Sequence, residues 1–204
     1  MKIIVILFVL LKNSLYICLI KYLIMLKPVS QLSQSFDLYP QEISSSVSYF
    51  FKNNIDWDVY LPSKGMNLQR GFVWTLEQKR ELIYSMLIGR HIPHCAVLNI
   101  IDKENENKYV YQIIDGRQRL STIKFFLEDK FTIELEGNEY LFSELPDDYK
   151  TKINRFYFRY YVVNEPWDER VTDEQKITWF NFINFAGTLQ DKEHMEKLKK
   201  NMNS

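Results

Sequence analysis

Cysteine is scarce in this chain: of 204 residues only Cys18 and Cys95 carry a thiol, far apart and without Cys-x-x-Cys spacing. That scarcity excludes a zinc ribbon and a disulfide framework, and it suits a reducing cytosol, so a cytoplasmic setting is expected. Charge of one sign is also missing. With 26 basic and 26 acidic side chains the net charge is zero. No global field draws the chain to nucleic acid or to an anionic membrane, and such a contact has to come from a local patch. The continuous apolar run of about 20 residues that spans a membrane is absent too. Ile3 to Leu11 is apolar, Lys12-Asn13-Ser14 interrupts it, and Leu15 to Ile20 resumes before Lys21. Lys2 ahead of a short apolar run is compatible with a signal peptide, but no small-x-small cleavage site comes after it. Met25-Leu26-Lys27-Pro28 opens the first globular-looking stretch. The favoured reading therefore takes residues 1–24 as an extension upstream of a working start at Met25, and residues 25–204 as a single domain. The membrane and signal readings of the extension stay open, and a membrane partner is not expected. Finally, there is no Ser–His–Asp signature, Walker lysine loop or His-Glu-x-x-His. His91-Ile92-Pro93-His94-Cys95 invites a metal reading, but proline between the ligands breaks helical presentation and no carboxylate cluster accompanies them. An ordinary loop entering a strand is the simpler account.

What is present is enough for a core. Hydrophobic residues make up 46% of the chain and aromatics 15%, which argues against disorder. Ile43, Val47, Phe50 and Phe51 recur at helical spacing and predict an amphipathic helix over 41–51. Asp56 to Leu61 alternates Trp57, Val59 and Leu61 with Asp56, Asp58 and Tyr60, a half-buried strand ended by Pro62-Ser63-Lys64-Gly65. Leu68 to Trp74 reads as a short extended piece. Thr75 with Gln78 three residues later is a capping box, so a helix begins there, with Leu76, Lys79, Ile83, Met86 and Leu87 inward and Glu77, Arg80 and Glu81 on a solvated face. Gly89 is placed to end it. Pro93 to Ile101 and Tyr109 to Ile114 form a strand pair. Phe131 to Leu135 and Tyr140 to Phe142 flank the hairpin signal Glu136-Gly137-Asn138. A short helix begins at Leu145-Pro146, Phe156 to Val163 is a β-prone aromatic run, and 172–183 and 191–200 close the chain as helices. Strands and helices mixed with a hairpin give an α+β class.

The stretch around which the chain is organised is Tyr109 to Thr122. The strand breaks at Asp115-Gly116, and Leu120, Ile123, Phe126 and Leu127 then recur at helical spacing. A glycine turn at a helix start aims free backbone N–H groups at one point, with Arg117 and Arg119 beside it, which is a place for an anion. Two apart on a helix start, the arginines do not point the same way: one is free for a ligand while the other takes solvent or a carboxylate. For Asp115 three roles stand open: holding a divalent cation such as Mg²⁺, orienting a water, or capping the helix. Gln69 and Arg70 precede Trp74, an arrangement that brings a guanidinium near an aromatic face, with a surface salt bridge as the plain alternative. Asn184 with Gly187 just beyond it reads most simply as a helix C-terminus.

Taken together, Gln69-Arg70-x-x-Val73-Trp74, Ile114-Asp115-Gly116-Arg117-Gln118-Arg119-Leu120-Ser121-Thr122 and Phe180-x-x-Ile183-Asn184-x-x-Gly187-Thr188 resemble the N-terminal domain of the GmrSD type IV restriction enzymes. That family is placed in the ParB/sulfiredoxin-like superfamily. The resemblance covers roughly Asp56 to Leu198, in the expected order and spacing. It implies a ParB/sulfiredoxin-like mixed sheet with flanking helices and a nucleoside triphosphate, with Mg²⁺, as ligand. Asp115 and Arg119 would be catalytic, with Asp115 as the Mg²⁺ ligand. Gln69, Arg70, Trp74, Gly116, Arg117, Gln118, Ser121, Thr122 and Asn184 would bind the nucleotide. The family's central block is usually Asp-Gly-Gln-Gln-Arg. Here Arg117 replaces the first glutamine and leaves Gly116-x-x-Arg119, similar to the superfamily's Gly-x-x-Arg phosphate-binding element. In the third block Phe182 stands where the family often has arginine, which weakens the case for hydrolysis. Many relatives carry a C-terminal HNH nuclease. Here only His194 lies beyond the third block, so a nuclease is expected on a separate partner subunit. Two other readings use the same residues: a DNA-binding or regulatory module without turnover, with the arginines on backbone phosphates, and an interaction protein that binds no ligand.

Overall fold

A computed structural model describes residues 38–102 and 108–185. Five strands form a mixed sheet in the order β1-β9-β5-β6-β2. β1 (Gln41–Ser46) runs antiparallel to β9 (Tyr157–Asn164). β9 is parallel to β5 (Cys95–Asp102), which pairs antiparallel with β6 (Lys108–Asp115), and β2 (Asn54–Asp56) is parallel to β6. Two hairpins stand apart from the sheet, β3 (Tyr60–Leu61) with β4 (Met66–Asn67) and β7 (Ile133–Leu135) with β8 (Asn138–Tyr140). Among the described residues the α-helices are α1 (Val47–Phe50), α2 (Leu76–Leu87), α3 (Arg117–Leu127), α4 (Asp147–Asn154) and α5 (Asp173–Phe185). The class is α+β, with β5 and β9 in the interior of the sheet.

Because side chains alternate across a strand, the sheet buries both faces. On one face Cys95, Val97, Ile113, Phe158, Tyr160 and Val162 meet Val47 and Phe50 of α1, Ile83 and Met86 of α2, and Leu120, Ile123 and Phe126 of α3. On the other, Ala96, Leu98 and Ile114 are fully buried, and α5, with its buried Ile177, Trp179 and Phe180, packs against β6. No helix among the described residues is long and apolar enough to cross a membrane.

The hairpin turn at Glu136-Gly137 has both residues at positive φ, +52° and +81°. This is the mirror-image turn whose twist matches two antiparallel strands. The capping box at Thr75 is present in both directions: Gln78 N–H donates to Thr75 Oγ1 at 3.3 Å, and Thr75 N–H donates to Gln78 Oε1 at 3.0 Å. Thr75→Ala is expected to cost about 1 kcal/mol in urea unfolding, the usual worth of an N-cap hydroxyl. A value indistinguishable from zero would show that α2 is held by packing alone.

Four local expectations need correction. Residues 41–51 are not one helix: 41–46 is the edge strand β1, and only 47–50 is helical. Three successive serines at 44–46 are poor helix formers, β9 offers a ladder, and Ser46 Oγ caps the short turn by accepting from Tyr49 N–H at 3.3 Å. The alternation from 56 to 61 buries Val59 and Leu61, yet the strand is broken. Asp56 Oδ1 accepts from Asp58 N–H at 3.2 Å, a side-chain turn that ends β2 two residues before Asp58. On α2, Leu76 is exposed while Leu82 is buried. Arg80 is not solvated. Its Nε donates to Thr132 O at 2.9 Å and its Nη2 to Glu139 Oε1 at 2.7 Å, which ties α2 to the β7–β8 hairpin. The predicted helix at 191–200 lies outside the described residues, as do the extension 1–24 and Gly187-Thr188.

Candidate functional site

The central motif sits where β6 becomes α3. Approaching the junction, Ala96 pairs with Asp115 but Val97 pairs with Ile113, so Ile114 is an extra residue on β6. Such a bulge turns the strand and re-aims the residues beyond it. Asp115 is the last strand residue, and Gly116 is the N-cap of α3 in the left-handed region, φ +94°. A Cβ at Gly116 would lie 2.5 Å from Cys95 Sγ and 2.9 Å from Cys95 Cβ, so β5 and the turn touch directly. Only glycine supplies both the conformation and the room.

Asp115 is not the helix cap. The cap is Gly116, without a side-chain hydrogen bond, and the Asp115 carboxylate instead accepts from Arg119 Nη2 at 2.9 Å. The same Nη2 donates to His94 O at 3.0 Å, which joins α3 to the loop leading into β5. Both partners are largely buried, with 16% of the Asp115 side chain and 19% of the Arg119 side chain exposed. Burial pushes the Cys95 thiol up against the opposing pull of the neighbouring Arg119, so at neutral pH Cys95 packs here as a thiol.

Arg117 takes the opposite direction. Its Nη1 donates to Arg70 O at 3.2 Å and its Nη2 is ion-paired with Asp58. The two arginines diverge as their spacing requires, but neither is free: each is matched by a carboxylate.

The loop 69–73 is tied to this junction from both sides. Gln69 Nε2 donates to Ile113 O at 2.6 Å. Gln118 accepts from Val73 N–H at 3.0 Å and donates to Gly71 O at 2.9 Å. Gln69, Arg117 and Gln118 therefore hold the first motif block against the second. The backbone of Arg70 is clamped between them while its side chain is exposed, with no ion pair or hydrogen bond among the described residues. Trp74 packs partly buried against the core, and no cation–π contact joins it to Arg70 among the described residues. Ser121 and Thr122 are buried within α3, and the Thr122 hydroxyl donates to Gln118 O at 2.8 Å, which braces the helix from inside. Asn184, half-buried on α5, donates from Nδ2 to Phe180 O at 2.8 Å. The described structure brings the first two blocks together and gives Asn184 only this contact within its own helix.

Sequence reasoning passed over Asp58, His94 and Cys95 as members of this neighbourhood. The signal for Asp58 was the Asp-x-Asp spacing at 56–58. For Cys95 it was the pairing of the strand after Pro93 with the strand that ends at Asp115.

The GmrSD restriction endonuclease N-terminal domain model matches residues 48–204. The chain belongs to that family. As a GmrSD N-terminal domain it is a module of a restriction system, and the β6–α3 junction lies within the matched residues. No curated protein and no solved structure matches it.

Proposed function

We propose that this GmrSD N-terminal domain binds a nucleoside triphosphate at the β6–α3 junction, in a ParB/sulfiredoxin-like manner, within a cytoplasmic DNA restriction or anti-phage system. The observation that carries the proposal is the clamped loop. Gln69, Arg117 and Gln118 fix the backbone around Arg70 beside the uncapped start of α3, and they leave the Arg70 guanidinium without a partner among the described residues. A rigidly held backbone with one uncompensated cation is preorganised for an anion. Arg70 meets the phosphates first, the backbone N–H groups at the start of α3 supply the remaining donors, and Trp74 packs behind. Among the described residues no group of three or more His, Cys, Asp or Glu side chains gathers to hold a metal. Asp115 offers a lone carboxylate with one oxygen engaged by Arg119. Such a donor set suits Mg²⁺ that arrives on the phosphates and takes a single protein oxygen, and its chemistry would be neutralisation of the triphosphate. Hydrolysis rests on Asp115 orienting a water, and cleavage of DNA on a separate nuclease subunit.

Isothermal calorimetry with the four ribonucleoside triphosphates, with and without Mg²⁺, tests the proposal. Saturable binding by at least one nucleotide is expected, and no heat at millimolar ligand would sink it. Phosphate release then separates binding from turnover. Arg70→Ala is expected to weaken binding about tenfold or more with the melting temperature unchanged, since its exposed side chain supports no described contact. The rival, DNA-backbone binding without turnover, would use the same arginines on backbone phosphates; salt-sensitive DNA retention without phosphate release would favour it.

A further inference from the structure

We infer that Asp58 is a built-in competitor for the anion site, a carboxylate that closes on Arg117 until a phosphate displaces it. The inference rests on the nucleotide reading and concerns how that site is regulated. It does not rest on the helix start. It rests on an asymmetry in the ion pair between Arg117 and Asp58.

The Arg117 side chain is only 13% exposed and is anchored at its other amino group to Arg70 O, whereas the Asp58 side chain is 62% exposed. Arg117 is thus a fixed fork whose outer face is closed by a carboxylate from a connecting segment: residues 57–59 lie between β2 and β3 and belong to neither strand. Asp58 is poised there by a short relay. Gln112 Nε2 on β6 donates to Asp56 Oδ2 at 3.0 Å, and Asp56 Oδ1 accepts the N–H of Asp58 at 3.2 Å. The relay presents the carboxylate without burying it.

Arginine's planar fork takes a carboxylate and a phosphate in the same geometry. An ion pair with one exposed partner contributes little, so an anion of higher charge can displace it. Opening the pair would free one face of the Arg117 fork beside the Arg70 backbone, whose carbonyl it already holds, and add a second cation to the proposed site. A glutamine at position 117 would have no such ion pair to make, so the competition depends on the guanidinium.

The test is calorimetry with inorganic tripolyphosphate and with the nucleotide that binds best, on wild type, Asp58→Asn, Asp58→Ser, Arg117→Gln and the Asp58→Asn/Arg117→Gln double variant. Neutralising Asp58 is expected to tighten binding roughly threefold to fivefold in either variant, the range set by an exposed pair. The gain is expected to vanish in the Arg117→Gln background, because the competition acts only through Arg117. If wild type binds but both Asp58 variants bind equally or more weakly, Asp58 positions Arg117 and the inference is overturned while the nucleotide reading stands. If neither wild type nor any variant binds tripolyphosphate or nucleotide at millimolar concentration, both fall. Using two substitutions at an exposed position keeps the result independent of one variant's folding, which a thermal melt of each confirms.

Discussion

Gly116→Ala is expected to destabilise the domain by about 2–5 kcal/mol, among the larger effects of any single methyl group in this chain. Two costs combine. A left-handed backbone costs a non-glycine residue about 1–2 kcal/mol, and φ at Gly116 is +94°. The added Cβ would then sit 2.5 Å from Cys95 Sγ, and overpacking a well-filled site costs about 1–3 kcal/mol more. Cys95 cannot retreat easily, being 1% exposed on the interior strand β5. Urea unfolding at neutral pH measures the loss. Adding Cys95→Ala to the variant removes the sulfur contact but leaves the 2.9 Å approach of the Cys95 Cβ and the backbone strain. About 1 kcal/mol should return, as a non-additive term. A Gly116→Ala protein as stable as wild type would mean that the bulge and turn relax freely, and the motif would lose its claim to a fixed geometry.

That turn also marks how far the sequence alone could be read. The strand ending in Asp-Gly, the helix after it and the two diverging arginines were all legible, because strand and helix periodicities differ and glycine punctuates the change. The strand pair β5–β6, the capping box at Thr75 and the Glu136-Gly137 hairpin were legible for the same reason: each is decided by residues close in sequence. What was not legible depends on partners distant in the chain. Ile43 falls in helical spacing with Val47, Phe50 and Phe51, but residues 41–46 meet β9, more than a hundred residues later, and the ladder overrode the pattern. Arg80 looked solvated because Thr132 and Glu139 are invisible from α2. In the site, Gln69, Arg117 and Gln118 could be named as polar and poised. Whether they face a ligand or clamp a loop depends on where Ile113 O, Arg70 O and Gly71 O lie, and only the fold places those carbonyls. Two arginines waiting for an anion therefore give way to a site in which Arg117 and Arg119 are spoken for and Arg70 is exposed.

Arg119→Met separates those two kinds of arginine. Removing the guanidinium leaves the Asp115 carboxylate, 16% exposed, without its counter-charge and His94 O without this donor. Breaking a buried pair by deleting one partner costs about 3–5 kcal/mol. Because solvent still reaches part of this one, about 2–4 kcal/mol is expected in urea unfolding. Asp115→Asn in the same background should recover part of the loss, since an amide needs no counter-charge, and the recovery measures the coupling of the pair. Arg70→Ala should show the reverse profile: unaltered unfolding and weakened nucleotide binding. A single site would then contain one arginine whose loss is read in stability and one whose loss is read in affinity. If Arg119→Met instead unfolds like wild type and loses only nucleotide binding, its guanidinium turns from Asp115 to the phosphates when ligand arrives, and the 2.9 Å pair is a resting contact. If it loses stability by the expected amount, the fixed geometry of the turn is what Arg119 supplies. On the proposed reading, recognition of the phosphate would then fall to Arg70, with Arg117 joining it once Asp58 is displaced.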